Sequence, residues 1–255
     1  MRHTVSHVLP AVLAAATLAG LGLLVHYQAG LTGADQAVSE GLIALRNAPL
    51  DWLVVLVTLF GDATALTLVA VAIVVALAWR KAWWPAGISA VSFSITFLLV
   101  KGIKLAVARE RPMADLYGGV ESFSFPSGHM TNSMVIYGAL AIFAAHALTG
   151  TWKRIAVGGL VLLIVLIGFS RVYLGAHWPT DVIAAALLAS IMLFLIAWGF
   201  DQMLGEGRFA RSFTGVLIAT LAIWSVYGIF TIEAAFNMYA VDVTPEGRIE
   251  LEPVQ

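Results

Sequence analysis

The sequence predicts an all-α fold, a polytopic bundle of transmembrane helices. Three observations carry this. Of 255 residues, 60% are hydrophobic and 11% charged, with a mean hydropathy of +0.92. A soluble domain is roughly 45–50% apolar and about 25% charged. Second, seven stretches approach the roughly 20 apolar residues that a bilayer core requires of a helix. Third, Lys and Arg fall in alternate connecting segments, as cytoplasmic loops do. A net charge of −1 gives no reason to expect nucleic acid as a partner. With no cysteine, disulfides, thiolate nucleophiles and Cys-based metal sites are excluded.

The predicted spans are 8–27, 55–79, 83–104, 129–149, 155–173, 179–200 and 213–232. The first follows Arg2, as the core of a signal peptide would. Its apolar run is longer than such a core and no small-x-small site precedes Gln28, so a retained helix is expected; either way Gln28 emerges on the same face. Residues 35–47, DQAVSEGLIALRN, read as a short amphipathic surface helix. The stretch from Leu50 to Trp79 is too long for one span and is interrupted at Gly61-Asp62. It is read as an interfacial helix up to Phe60, then the second span, with Asp62 capping its start or bordering a lipid entrance. Trp79, Trp83, Trp84, Trp152 and Trp198 mark predicted inner ends.

Arg2, Arg80-Lys81, Lys153-Arg154, Arg208 and Arg211 occupy one set of loops, which places the N-terminus in the cytoplasm and the C-terminus outside. Residues 28–54 and the tail after Thr231 are acid-rich, as befits the outer side. The outer segment 101–111 breaks this pattern: Lys101, Lys104, Arg109 and Arg111 stand against Glu110 alone. Anionic headgroups would attract such a cluster. A bound phosphate is the sharper reading.

Three segments fall together at this predicted outer face. Lys104 and Arg111 are seven residues apart, about two helical turns, and could point the same way if the helix continues to Pro112. An arginine fork matches phosphate oxygens and a lysine adds a point charge. Pro126-Ser127-Gly128-His129 opens the fourth span, where unpaired helix-start N–H groups favour an anion. Ser127 can cap that helix or meet the anion, and Gly128 admits a ligand close to the backbone. In SRVYLGAHWPTD (170–181), a helix starting near Pro179 puts Asp181 in its first turn, able to reach back to His177. A carboxylate on one ring nitrogen leaves the other free as a nucleophile. His129 is then available as general acid, and Arg171 adds a further cation. Each segment alone is a short, chance-prone match, and a histidine at a membrane end is most often a headgroup contact. All three in order, at one face, with the expected spans between, form a phosphoryl-transfer set that needs no metal.

The motifs KLAVARERP (104–112), PSGH (126–129) and SRVYLGAHWPTD (170–181) resemble, without departure, the pattern of the type 2 phosphatidic acid phosphatases, the PAP2 superfamily. The resemblance spans about residues 30–200. It implies a phosphohistidine at His177, with Asp181 orienting that ring and His129 protonating the leaving group. It further implies that Lys104, Arg111, Ser127, Gly128 and Arg171 bind phosphate, Ser170 being a weaker candidate. It implies no metal or other cofactor, and, for bacterial members, a site on the periplasmic face of the inner membrane.

The substrate expected is a lipid phosphate: undecaprenyl diphosphate first, then phosphatidic acid, phosphatidylglycerophosphate or lipid A phosphates. A phosphotransferase passing the group to a lipid or sugar hydroxyl is the alternative. A transporter or lipid-binding protein with a dead site is disfavoured, because the ionisable residues gather at one face and not at the midplane. Residues 1–200 are expected to form the core and 201–255 an added helix with an acidic tail. Glu110 and Glu121 flank the motifs, and His146 is expected to be structural.

Overall fold

The computed structural model describes residues 2–28, 30–113, 123–201, 210–239, 242–243 and 249–250. Among these, nine helices follow in order: α1 (Arg2–His26), α2 (Thr32–Ile43), α3 (Ala48–Leu59), α4 (Ala63–Trp79), α5 (Trp83–Val107), α6 (Gly128–Ala147), α7 (Gly150–Tyr173), α8 (Pro179–Asp201) and α9 (Ala210–Tyr239). With α3 and α4 counted as one interrupted run, seven are long and apolar enough to cross a membrane. Beyond α9, Asp242–Val243 and Ile249–Glu250 form a two-residue antiparallel pair, Asp242 opposite Glu250.

Helix α6 is the hub, packed by α7, α8, α5, α4 and α9. Its Tyr137, Leu140 and Phe143 join Leu66 and Ile73 of α4, Ile167 of α7, Ile196 of α8 and Phe213 of α9 in one buried cluster. Leu98, Ile218, Ile229 and Phe230 point outward. In lipid, an apolar residue gains little by leaving the surface, so close packing and internal hydrogen bonds hold such a bundle.

The break between α3 and α4 shows both. Asp62 caps α4, its Oδ1 accepting the Thr64 N–H at 2.8 Å. The Tyr137 hydroxyl donates to the Phe60 carbonyl at 2.8 Å, which gives a carbonyl at the end of α3 a partner. A Cβ at Gly61 would come within 3.0 Å of both His129 Cδ2 and Ile167 Cγ2, so only glycine allows the break to lie against the His129 ring.

Three elements differ from the sequence reading. Helix α2 lies three residues earlier than predicted at its start and ends at Ile43, because Asn47 instead caps α3, accepting the Leu50 N–H at 3.1 Å. It is also not simply a surface helix, since it buries Asp35 and Ser39. Helix α5 does not continue to Pro112; it stops at Val107 with Ala108 left-handed (φ 51°). Helix α9 has 30 residues, about 45 Å at 1.5 Å per residue, and runs seven residues beyond its predicted end.

Candidate active site

The C-terminal end of α7 turns on Gly175, which has φ +67°. Its N–H donates to the Val172 carbonyl at 3.0 Å and the Ala176 N–H to that of Arg171 at 3.1 Å. These are the paired bonds of a Schellman cap, for which a left-handed glycine is suited. The His177 N–H also donates to the Arg171 carbonyl, at 3.0 Å. The reversal thus fixes His177 two residues past the turn. Pro179 then opens α8, where a missing N–H leaves no bond unmade. Asp181, two residues on, accepts the Trp178 N–H on Oδ2 at 2.9 Å, in the manner of an N3 carboxylate in a capping box.

Asp181 Oδ2 lies 3.5 Å from His177 Nδ1, an ion-pair distance somewhat longer than a hydrogen bond. The other ring nitrogen, Nε2, is 3.4 Å from Arg111 Nη1. Burial holds the His177 imidazole well below its usual pKa, and Arg111, Arg171 and Lys104 push it further the same way. A neutral ring with one nitrogen on the carboxylate side and the other among cations is prepared to attack an anion that those cations bind.

One cavity of about 730 Å³ collects most of the candidates: Lys104, Arg111, Gly128, His129, Arg171 and His177 all line it. Lys104 comes from the last turn of α5 and donates to the Phe123 carbonyl. Arg111 comes from the segment after α5 and not from a helix face, and donates to the Ala176 carbonyl at 2.8 Å. The left-handed Ala108 redirects the chain, so the two cations converge by a turn and not by helical period. Arg171 donates to Thr58 Oγ1 at 2.6 Å and to the Tyr239 hydroxyl at 3.1 Å.

Ser127 caps α6 by accepting the Met130 N–H at 3.4 Å and is fully buried. Its own N–H donates to the Asp181 carbonyl at 3.2 Å, which ties the start of α6 to that of α8. A Cβ at Gly128 would meet only Val100, at an ordinary 3.6 Å, and Gly128 lines the cavity. Asp181 stands behind His177, outside the cavity lining. Ser170 turns its hydroxyl to the Ile167 carbonyl at 2.6 Å and does not line the cavity. His146 lies near the other end of α6, 2.9 Å from the Ile142 carbonyl and 3.7 Å from Asp201. Glu110 offers its carbonyl to Trp178 Nε1 at 2.9 Å; Glu121 lies outside the described residues.

Arg109 has a task that the sequence did not reveal. Its Nη1 is 2.7 Å from Asp181 Oδ1 and its Nη2 is 2.6 Å from Asp35 Oδ2. The Thr180 N–H donates to Asp35 Oδ1 at 3.0 Å, and the Thr180 hydroxyl donates to the same carboxylate. So one guanidinium bridges two buried carboxylates and braces the residue behind His177. Arg109 is therefore engaged by protein, although the basic cluster had suggested phosphate or headgroups. A second bridge joins α3, α7 and α9: Asp51 pairs with Arg46 at 2.8 Å and accepts the Tyr173 hydroxyl at 2.8 Å, while Arg46 donates to the Tyr239 carbonyl at 2.6 Å. No fixed spacing announces either network, since Asp35 is 146 residues from Asp181.

A model of the PAP2 superfamily matches residues 82–204. Phosphatidylglycerophosphatase B of Bacillus subtilis is 30% identical over 190 residues, covering 74% of this chain and 93% of that protein. This chain belongs to the PAP2 superfamily. The solved structure of a transmembrane PAP2-type phosphatidylglycerolphosphate phosphatase from Bacillus subtilis is similar, with a TM-score of 0.66 and 29% identity, over 76% of this chain and 97% of that one. An undecaprenyl-diphosphatase of Sulfolobus acidocaldarius is 35% identical over 111 residues, covering 41% of this chain and 50% of its own length. The protein is thus a multi-span membrane enzyme, a PAP2-type lipid phosphatase. The PAP2 match ends before α9 begins.

Proposed function

We propose that this PAP2 enzyme hydrolyses a lipid phosphate or diphosphate through a phosphohistidine on His177, without a metal. The observation that carries the reading is the shared cavity, in which His177 and His129 face the same space as Lys104, Arg111 and Arg171. The cations and the amides at the start of α6 hold the phosphate and balance the charge of the transition state. His177 Nε2 attacks phosphorus; the N–P bond forms as the P–O bond to the lipid breaks. Asp181 stabilises the positive ring, and His129 gives the leaving oxygen its proton. Water, deprotonated by His129, then attacks phosphorus, breaks the N–P bond and releases phosphate.

Among the candidate lipids, phosphatidylglycerophosphate now has the best support, because the relative matched over 93% of its length carries that name. Undecaprenyl diphosphate is supported by a shorter match. The ends of α5, α7 and α9 and the starts of α6 and α8 meet at the site. Arg80-Lys81 and Lys153-Arg154 lie at the other ends of these helices. With basic loops inside, the reading puts the site on the outer face of a bacterial inner membrane.

Phosphate release from a panel of these lipids, with EDTA present, compares detergent-purified parent with His177→Ala. The parent should act on at least one lipid and the variant on none. Equal activity in both, or a parent silenced by the chelator, would sink the mechanism. His129→Ala should lose far more on a lipid ester than on an activated aryl phosphate, since only the former needs a proton on departure; equal losses would argue against the acid role.

A further inference from the structure

The cavity does not end at the phosphate site. One long wall is a stripe of α9: Tyr227, Thr231, Ala234, Ala235 and Met238. Their spacing of four, three, one and three residues is that of a single helix face. Phe97, Lys101 and Leu105 of α5 form part of the opposing wall, again at helical spacing. Both α5 and α9 pack on α4, and the two are not packed along one another. Leu105 and Met238, in the last turns of α5 and α9, are 52% and 55% exposed, so the gap between the two helices is open at the surface.

The phosphate end of α9 is fixed, not loosely apposed. The Tyr239 carbonyl accepts from Arg46, its hydroxyl accepts from Arg171, and its ring lies under the Arg171 guanidinium at 5.4 Å. Arg171 lines the same cavity. Two small residues, Ala234 and Ala235, thus stand where the cavity leaves the cations and turns apolar.

Resting on the lipid phosphatase reading, we infer that α9 is the selectivity wall of this enzyme. The lipid chain next to the phosphate lies in the channel between α5 and α9, and Ala234 sets the room it has there. The helix beyond the family-matched segment then determines which lipid the shared chemistry meets. The division of the chain into a core at 1–200 and an addition at 201–255 is in this view one of ancestry, while the site draws on both.

Ala234 is exposed to the channel, so a larger side chain there does not have to enter a packed core. Three substrates serve: p-nitrophenyl phosphate, which has no tail, and dioleoyl phosphatidic acid and farnesyl diphosphate, which do. In Ala234→Trp the kcat/KM ratio of lipid to p-nitrophenyl phosphate should fall at least tenfold. Ile229→Trp, on the outward face of α9, should leave the ratio as in the parent. A photoreactive phosphatidic acid with a diazirine in its chain should label peptides from 227–239 in unmodified protein, a readout independent of any variant's folding. A parent that cleaves neither of these lipids nor any other lipid phosphate of the panel above refutes the phosphatase reading. A parent that cleaves them, with an unmoved ratio in Ala234→Trp or no label on α9, refutes the role of α9 alone.

Discussion

In Arg109→Gln, the carboxylates of Asp35 and Asp181 lose a guanidinium that lies 2.6 and 2.7 Å from them. Asp35 and Asp181 are almost wholly buried, and water has no direct route to replace the lost charge. Removing one partner of a buried ion pair costs about 3–5 kcal/mol. The Arg109 side chain is 12% exposed, so a partly wet site and the lower end, about 3 kcal/mol, are expected. At about 1.4 kcal/mol per tenfold, that is roughly two orders of magnitude in the unfolding equilibrium. Asp181 would then take up a proton or shift, and a displacement near 1 Å at His177 is enough for about a hundredfold loss of rate. Thermal unfolding in detergent, read beside kcat, checks both effects. The double variant Arg109→Gln/Asp35→Asn should recover part of the lost stability, since it removes one of the two stranded charges. The reasoning fails if Arg109→Gln stays within about 0.5 kcal/mol of the parent, as an ordinary surface change would, with kcat unaltered.

Two further outcomes follow from the site. Gly61→Ala would place a methyl 3.0 Å from the His129 ring and from Ile167, and overpacking of this kind costs about 1–3 kcal/mol; kcat on a lipid ester should drop while the phosphoenzyme still forms from an aryl phosphate, and an unchanged kcat would refute the contact. For pH, a histidine held below its usual 6.5 stays neutral to lower pH. The acid limb of phosphoenzyme formation should therefore lie below 6.5, and Arg111→Gln, by removing a cation, should move that limb upward; a limb that moves down or stays would show that Arg111 does not act on His177.

The architecture was largely legible because a bilayer imposes length. Each span announces itself by apolar run and flanking Lys or Arg, and the break at Gly61-Asp62 was visible as a charge inside such a run. Two of the three motifs were legible because the decisive residues fit within one cap: Pro179 before Asp181, and Ser127 before Gly128 and His129. The first, Lys104 to Arg111, was read at helical period, whereas a turn brings the two cations together. What stayed hidden depends on distance in sequence. Arg109 looked like its neighbours Lys104 and Arg111, and only the fold shows Asp35 claiming it. The left-handed turn at Ala108 was equally silent, since alanine does not announce that geometry. The end of α9 was missed because its last turns carry polar residues that an apolar window leaves out, yet they bring Tyr239 to Arg171.

The central claim is tested most directly by trapping the covalent intermediate. The detergent-purified enzyme is mixed with ³²P-labelled lipid phosphate in EDTA, quenched within the first turnover and digested. The account predicts an acid-labile, alkali-stable label on the peptide that holds His177, absent from His177→Ala and slow to clear in His129→Ala. A label on any other residue, or phosphate release with no phosphoenzyme at any quench time, would contradict it.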